Sequence, residues 1–254
     1  MRHFGLIGEH LEHSFSKKFF TAKFQAEEIA ADYQLFELSN IEAVDELIAK
    51  EKLAGFNVTI PYKQSIIPLL DEVTDTAREV GAVNCVKIKD GKKVGYNTDV
   101  KGIETTLSWL DIKPETRALI LGTGGASKAV QYVLRKNDIA FKVVSRDSSR
   151  GDITYNELTE EIIKEHTLII NTTPLGMFPN IDETPELNYE AIGEEHMVFE
   201  LIYNPATTEF MRRCKERGAN VMGGMMMLQT QAIASWHIWK ESSPVSGEIP
   251  AIVQ

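Results

Sequence analysis

The sequence predicts an α/β protein made of two units, and three observations carry that prediction. Short β-branched or aromatic runs alternate with longer segments of helical period along the whole chain, the pattern of helices packed on a largely parallel sheet. Two strand-like runs flank Lys89, Asp90, Gly91 and Lys92; an Asp-Gly pair in that setting makes a tight hairpin, so the first sheet is mixed. In the second half, the glycine-rich segment Gly122 to Ser127 follows a strand and opens a helix, a junction at which doubly wound sheets bind ligands. A chain of 254 residues is long enough for two modest domains.

The elements follow in order. A first strand is expected over Phe4 to Ile7. Ser14 or Ser16 caps the next helix, whose Phe19, Ala22, Ala26 and Ile29 recur at helical spacing and are expected on one buried face. Strands at Tyr33 to Phe36 and Phe56 to Thr59 enclose a charged helix from Ile41 to Glu51. The run from Asn57 to Lys63 leaves the second of these strands for a helix, with Pro61 suited to its first turn. Strands at Ala82 to Ile88 and Val94 to Asn97 form the hairpin, and a helix from Val100 to Leu110 closes the series. A second series has strands at Arg117 to Leu121, Phe141 to Val144, Leu168 to Ile170, Met197 to Leu201 and Asn220 to Met222, a small doubly wound unit. The last helical pattern, Met226 to Lys240, carries Trp236 and Trp239 and is expected to return to the first unit and anchor there by apolar burial. The first domain is therefore expected over 1–100 with 225–254 returning, and the second over 101–224.

Composition narrows the function. Apolar residues are 43% and charged residues 25% of the chain, the usage of an ordinary globular protein. With 27 Lys plus Arg against 37 Asp plus Glu the net charge is -10, which argues against nucleic acid or anionic lipid as partner. An anionic ligand must then be caught by local devices. Two cysteines, Cys85 and Cys214, suggest no disulfide framework and a reducing compartment. No apolar run approaches the roughly 20 residues needed to cross a bilayer, and Met1 to His10 lacks a signal-peptide core. The expected setting is cytoplasmic. The histidines show no metal-type clustering, so no metal is expected.

Several segments can carry chemistry. The glycines among Gly122, Thr123, Gly124, Gly125 and Ala126 let the backbone turn sharply and approach a pyrophosphate, whose charge is met by amides and the positive end of the helix. At the end of the next strand an acidic side chain would bind a free ribose hydroxyl, whereas cations accept a 2′-phosphate. Ser145 stands there, followed by Arg146 and Arg150, so the expected cofactor is NADP, with Asp147 opposing the two cations. In the first half, Asn57 to Lys63, Gly81 to Asn84, and Asn97 to Asp99 place amide, hydroxyl, cation and carboxylate groups at strand boundaries. That set suits a small polyol acid.

The motifs HSFS at 13–16, NVTIPYK at 57–63, GAVN at 81–84, NTDVKG at 97–102, GTGGAS at 122–127, NTTPLGM at 171–177 and IYNP at 202–205, with the stretch from Gly224 to Gln231, stand in the order and spacing of the shikimate dehydrogenase family. The chain resembles that family over nearly its whole length. The resemblance implies an amino-terminal α/β substrate domain with a mixed sheet, a Rossmann-like cofactor domain, and a site in the cleft between them. It implies NADPH-dependent, reversible reduction of 3-dehydroshikimate to shikimate, a step toward chorismate and the aromatic amino acids. By the same resemblance Lys63 is the catalytic lysine and Asp99 its partner, while Ser14, Ser16, Thr59, Asn84, Tyr203 and Gln231 bind the substrate's carboxylate and hydroxyls. Gly122 to Ala126, Ser145, Arg146, Arg150, Leu201 and Gly224 hold the nucleotide. The chain departs from the family at His10, Lys17 and Phe20, and Glu200 stands where an aspartate is usual. Two alternatives are a quinate and shikimate dehydrogenase using NAD, and a metabolite-sensing homologue without turnover, against which the presence of both Lys63 and Asp99 counts. A small-molecule substrate and a monomer or homodimer are expected.

Overall fold

The computed structural model describes residues 1–11 and 14–240; His13 of the first motif, and residues 241–254 of the segment expected to return, lie outside the described residues. The chain divides into two compact units, 1–98 with 232–254, and 99–231.

The first unit contains, in chain order, β1 (Arg2–Gly8), α1 (Phe15–Ala26), β2 (Ala31–Glu37), α2 (Val44–Glu51), β3 (Leu53–Val58), β4 (Glu72–Val73), α3 (Asp75–Val80), β5 (Cys85–Lys89) and β6 (Lys92–Tyr96). Its sheet runs β2-β1-β3-β5-β6-β4. β1 pairs in parallel with β2 and β3, and β4 with β6, whereas β5 is antiparallel to both β3 and β6. Because β5 alone is inverted, its start lies on the same sheet edge as the ends of β1, β3 and β6. The hairpin has the expected two-residue turn: Lys89 pairs with Lys92, and Asp90 and Gly91 sit at φ 52° and 78°, the backbone that matches strand twist.

One face of this sheet carries an aromatic core of Phe4, Phe20, Phe24, Tyr33, Trp236 and Trp239. Phe20 and Tyr33 stack at 4.5 Å, Phe4 and Trp239 at 4.8 Å. The Trp239 indole donates to the Val86 carbonyl at 3.0 Å, satisfying its one polar atom. The other face buries Ile7, Val44, Phe56, Val58, Ile66 and Val83.

Two local expectations are corrected here. Helix α1 buries Ser16, Phe20 and Phe24 and exposes Ala22 and Ala26. The face was misjudged because small alanines satisfy a helical period while contributing little area, and the larger phenylalanines decide which side faces the core. After β3 no α-helix follows; the chain makes successive turns and a short 3-10 segment at Ile67–Leu69. Pro68 lacks an N–H and disfavours helical backbone at Ile67, so the turns from Pro61 cannot propagate.

The second unit opens with α4 (Asp99–Leu107), followed by β7 (Arg117–Leu121), α5 (Gly125–Lys136), β8 (Ala140–Ser145), β9 (Ile153–Thr154), α6 (Glu160–Glu165), β10 (Leu168–Asn171), β11 (Met197–Glu200), α7 (Glu209–Glu216), β12 (Asn220–Met222) and the start of α8 (Met225–Lys240). Its sheet is ordered β12-β11-β10-β7-β8-β9, and every pairing is parallel. Read from β9, this is the doubly wound order 3-2-1-4-5-6, whose direction reverses between β7 and β10, the place where such sheets bind nucleotides. Leu119, Leu121, Val144, Ile169, Val198 and Phe210 fill its core. The division between units falls inside α8: Met227 lies close to Gly102 of α4, while Trp236 and Trp239 belong to the aromatic core of the first unit. Among the described residues no helix is long and apolar enough to cross a membrane.

Candidate active site

The shared edge of the first sheet collects residues that lie far apart in sequence. Ser14, after β1, caps α1 by accepting from the Ser16 amide at 3.2 Å. Thr59 follows β3 directly, its amide donating to the Ile7 carbonyl at 2.9 Å and its carbonyl accepting from the Tyr62 amide at 2.9 Å. Tyr62 is buried and its hydroxyl donates to the Leu38 carbonyl at 2.6 Å, which fixes the turn carrying Lys63. The half-buried Lys63 is tied through its own carbonyl, which accepts from the Val83 amide at 2.7 Å. Val83 immediately precedes Asn84, so the turn after β3 and the entry to β5 are one assembly.

Behind this edge runs a buried polar network. The buried Ser16 stands beside the Tyr33 hydroxyl, which donates to Asn57 Oδ1 at 2.9 Å. That bond sets the amide orientation, and Asn57 Nδ2 donates to the Asn84 carbonyl at 3.1 Å and to Ser235 Oγ at 2.8 Å. Ser235 Oγ and Thr98 Oγ1 are hydrogen-bonded at 3.2 Å. The circuit closes on Asn84 Oδ1, which accepts from the Thr98 amide at 2.7 Å and from Thr98 Oγ1 at 3.2 Å. Burial raises the Tyr33 hydroxyl well above its ordinary value, so it remains a neutral donor. Thr98 lies in the segment from Asn97 to Asp99 expected to offer hydrogen-bonding groups, whereas sequence reading missed Tyr33 and Ser235; the available signal was polar side chains at positions flanked by core residues.

In the second unit the residues expected at the nucleotide gather at the ends of β7, β8 and β11. Gly122 stands at φ +104°, a backbone favouring glycine, and its amide donates to the Val144 carbonyl at 2.9 Å. Gly124 is the N-cap of α5 with no side chain capping the helix, and a Cβ added there would meet nothing within 4 Å. Thr123, Gly125 and Ala126 complete this turn, so first-turn amides border open space, a cradle that fits a pyrophosphate. Ser145 is buried and its Oγ accepts from the Asp147 amide at 3.1 Å. The Asp147 carboxylate accepts from both the amide and the hydroxyl of Ser149, at 2.9 and 2.7 Å, and these bonds hold it below its ordinary value. Asp147 is thus committed to its own loop, while Arg146 and Arg150 are exposed.

Leu201 and Tyr203 follow β11. The Leu201 amide donates to the Asn171 carbonyl at 3.1 Å, and the Gly224 amide donates to the Ile202 carbonyl at 3.2 Å. A Cβ at Gly224 would lie 2.1 Å from the Leu201 carbonyl oxygen, so only glycine permits this approach. Gln231 is buried on α8, its Nε2 donating to the Leu228 carbonyl at 3.0 Å. Asp99 is the first residue of α4 and is buried. Lys63, Ser14, Ser16, Thr59 and Asn84 thus belong to the first unit, and Asp99, Tyr203 and Gln231 to the second, with the glycine turn.

Sequence reading gave Glu200 no role, although it is fully buried with four acceptor contacts. It accepts from Asn171 Nδ2 at 3.1 and 3.0 Å, from the Ile202 amide at 3.0 Å and from Thr208 Oγ1 at 3.0 Å. Burial, only partly offset by these donors, pushes its carboxyl up to about 7. Burial also pushes the Cys85 and Cys214 thiols up to about 12, which leaves neither as a nucleophile near neutral pH.

A buried polar edge on one sheet and a glycine turn at the switch point of a doubly wound sheet fit an α/β oxidoreductase dependent on a dinucleotide. The family model described as the shikimate dehydrogenase substrate binding domain matches residues 6–86. A shikimate dehydrogenase (NADP(+)) of Clostridium beijerinckii is 39% identical over 251 residues, 95% of this chain and 93% of that protein. The crystal structure of shikimate dehydrogenase 1 from Peptoclostridium difficile is 35% identical, with a TM-score of 0.85 over 97% of this chain and 94% of that one. The Thermus thermophilus enzyme in complex with NADP(H) and shikimate is 28% identical, with a TM-score of 0.84 over 94% of each chain. This chain belongs to the shikimate dehydrogenase family.

Proposed function

We propose that the protein catalyses the NADP-dependent, reversible reduction of 3-dehydroshikimate to shikimate, a step in the supply of chorismate for aromatic amino acids. The observation that carries this reading is the sheet edge of the first unit. There Ser14, Thr59, Lys63 and Asn84, scattered over 71 positions of sequence, become neighbours of one buried polar network, in a chain 39% identical to a named relative. Ser14 and Ser16 hold the substrate carboxylate at the start of α1, where hydroxyls and helix amides both favour an anion. Thr59, Asn84, Tyr203 and Gln231 hold the ring hydroxyls.

The nucleotide supplies a hydride equivalent when bound. Gly122 to Ala126 hold its pyrophosphate, Ser145, Arg146 and Arg150 its 2′-phosphate, and Leu201 and Gly224 its nicotinamide end. The Lys63 ammonium donates a hydrogen bond to the ketone oxygen and transfers a proton to it as the alcohol forms; Asp99 acts as its partner. In the oxidative direction the same position must accept a proton, so that rate rises toward alkaline pH. The protein acts on these small molecules in the cytoplasm, as a monomer or homodimer. Its net charge of -10 supports a partner other than nucleic acid.

The test follows nicotinamide absorbance with purified protein, pairing shikimate and quinate with NADP+ and NAD+. The expected result is turnover of shikimate with NADP+ well above the other three pairs. Preference for quinate with NAD+ would replace this reading, and no turnover with any pair would reject enzymatic function.

A further inference from the structure

The Glu200 carboxylate joins three segments of the second unit. Asn171 ends β10, Ile202 lies in the loop after β11, and Thr208 is the N-cap of α7, where its Oγ1 also accepts from the Met211 amide at 3.2 Å. Both carboxylate oxygens are used: Oε1 accepts from Asn171 and Ile202, Oε2 from Asn171 and Thr208. Asn171 Oδ1 in turn accepts from the amide and hydroxyl of Thr173, at 3.0 and 2.7 Å. A side chain meeting only donors is suited to its ionised form, yet it is buried where ionisation is disfavoured. Four donor contacts converging on two buried acceptor oxygens make this side chain the tie between the three segments.

We propose that Glu200 is a positioning residue for the nicotinamide end of the nucleotide: Oε1 holds the Ile202 amide while Oε2 is anchored on Asn171 and Thr208, and this grip fixes the close approach of Leu201 to Gly224. This rests on the reading that Leu201 and Gly224 hold that end. The geometry gives the reason. Leu201 carries a hydrogen bond from its amide to Asn171 and a carbonyl that stands 2.1 Å from the place of a Gly224 Cβ, and Ile202, the next residue, is held by Glu200. If the grip slackens, the carbonyl that borders Gly224 moves with the loop.

The carboxyl at about 7 makes the grip sensitive to pH near neutrality. Protonation turns one acceptor into a donor, which faces the donors of Asn171 and Thr208. The surrounding elements contain few competing titrations. β10 and β12 carry no titratable side chain and the loop from Leu201 to Thr208 carries only Tyr203. On α7, Cys214 faces Glu200 and stays a neutral thiol, while Glu209, Arg212 and Arg213 pair with one another.

The experiment measures dissociation constants of NADPH and of 2′,5′-ADP, which has the 2′-phosphate but no nicotinamide, by titration between pH 6 and 9 with wild type, Glu200→Gln and Glu200→Asp. In wild type, NADPH should bind about fivefold more weakly at pH 6 than at pH 8, beyond any change seen with 2′,5′-ADP. Glu200→Gln should bind NADPH about tenfold more weakly at pH 8 and lose that extra pH dependence, with 2′,5′-ADP unaffected; Glu200→Asp should retain an ionisation. NADPH binding by Glu200→Gln equal to wild type would overturn the proposal alone. So would equal weakening of both ligands, which marks damage to the whole unit, and so would wild-type profiles that match for the two ligands. Failure of wild type to bind either ligand would instead reject the nucleotide reading and the proposal with it.

Discussion

The two units build their candidate binding edges from different material. The first uses side chains that lock one another: Ser16, Tyr33, Asn57, Asn84, Thr98 and Ser235 form a buried circuit behind Ser14, Thr59 and Lys63. The second presents backbone, an uncapped helix start at Gly124 and a carbonyl pressed on Gly224, with the Glu200 carboxylate gripping the loop behind them. A small polyhydroxy acid offers few atoms, and discriminating among its hydroxyls requires donors and acceptors that cannot rotate. A pyrophosphate offers charge and many oxygens, which amides can meet with no side chain at all. Damage should therefore spread through the first edge and stay local in the second.

The strongest way to break this comparison is Lys63→Ala. Loss of a general acid should lower turnover about a thousandfold, while the shikimate dissociation constant changes only about threefold. Steady-state rates together with a binding titration decide it, and turnover within tenfold of wild type would make the first edge a binding surface alone.

The next largest effect concerns stability. Folding raises the Glu200 carboxyl from 4.5 to about 7. The folded state therefore binds this proton more tightly than the unfolded chain, and the stabilisation is complete below about 4.5 and lost as pH rises through 7. Relative to Glu200→Gln, wild type should lose about 3 kcal/mol between pH 4 and pH 8. Denaturant unfolding of both proteins across that range tests the sign; a constant difference would remove the ionisation.

A pair of glycine variants sharpens the contrast within the second edge. Gly224→Ala forces a carbon onto the Leu201 carbonyl and should lower stability by about 1–3 kcal/mol. Gly124→Ala enters open space on extended backbone, so the melting temperature should shift by less than about 2 °C while NADPH affinity falls about tenfold. Normal NADPH binding by Gly124→Ala would mean that the space beside it is not the pyrophosphate cradle. A loss of the same size, confined to one nucleotide, is expected from joint replacement of Arg146 and Arg150 by alanine, which should weaken NADPH about tenfold and leave NADH unchanged. Equal losses for both nucleotides would show that these exposed cations do not read the 2′-phosphate.

Much of this was legible in the sequence because it is encoded locally. The alternation, the Asp-Gly hairpin and the strand-to-helix glycine turn each need only a few adjacent residues, and β7 and β12 have the expected bounds. β4 and β9 escaped because two residues make no pattern. The buried face of α1 was misjudged because periodicity counts apolar positions equally, while burial weighs their area. The circuit through Tyr33, Thr98 and Ser235, and the grip of Glu200, were invisible for another reason. Each joins residues from separate strands or helices, and only the register of the sheets decides that they meet.

The inverted strand β5 also offers a practical handle. Since its start lies on the candidate binding edge, its end and the Asp90–Gly91 turn lie on the opposite edge of that sheet, about 17 Å away along five residues of strand. A Cβ at Gly91 would touch nothing within 4 Å. A surface tether, an affinity tag or a fluorescent reporter spliced into that turn would hold the first unit by the sheet edge opposite its candidate binding residues.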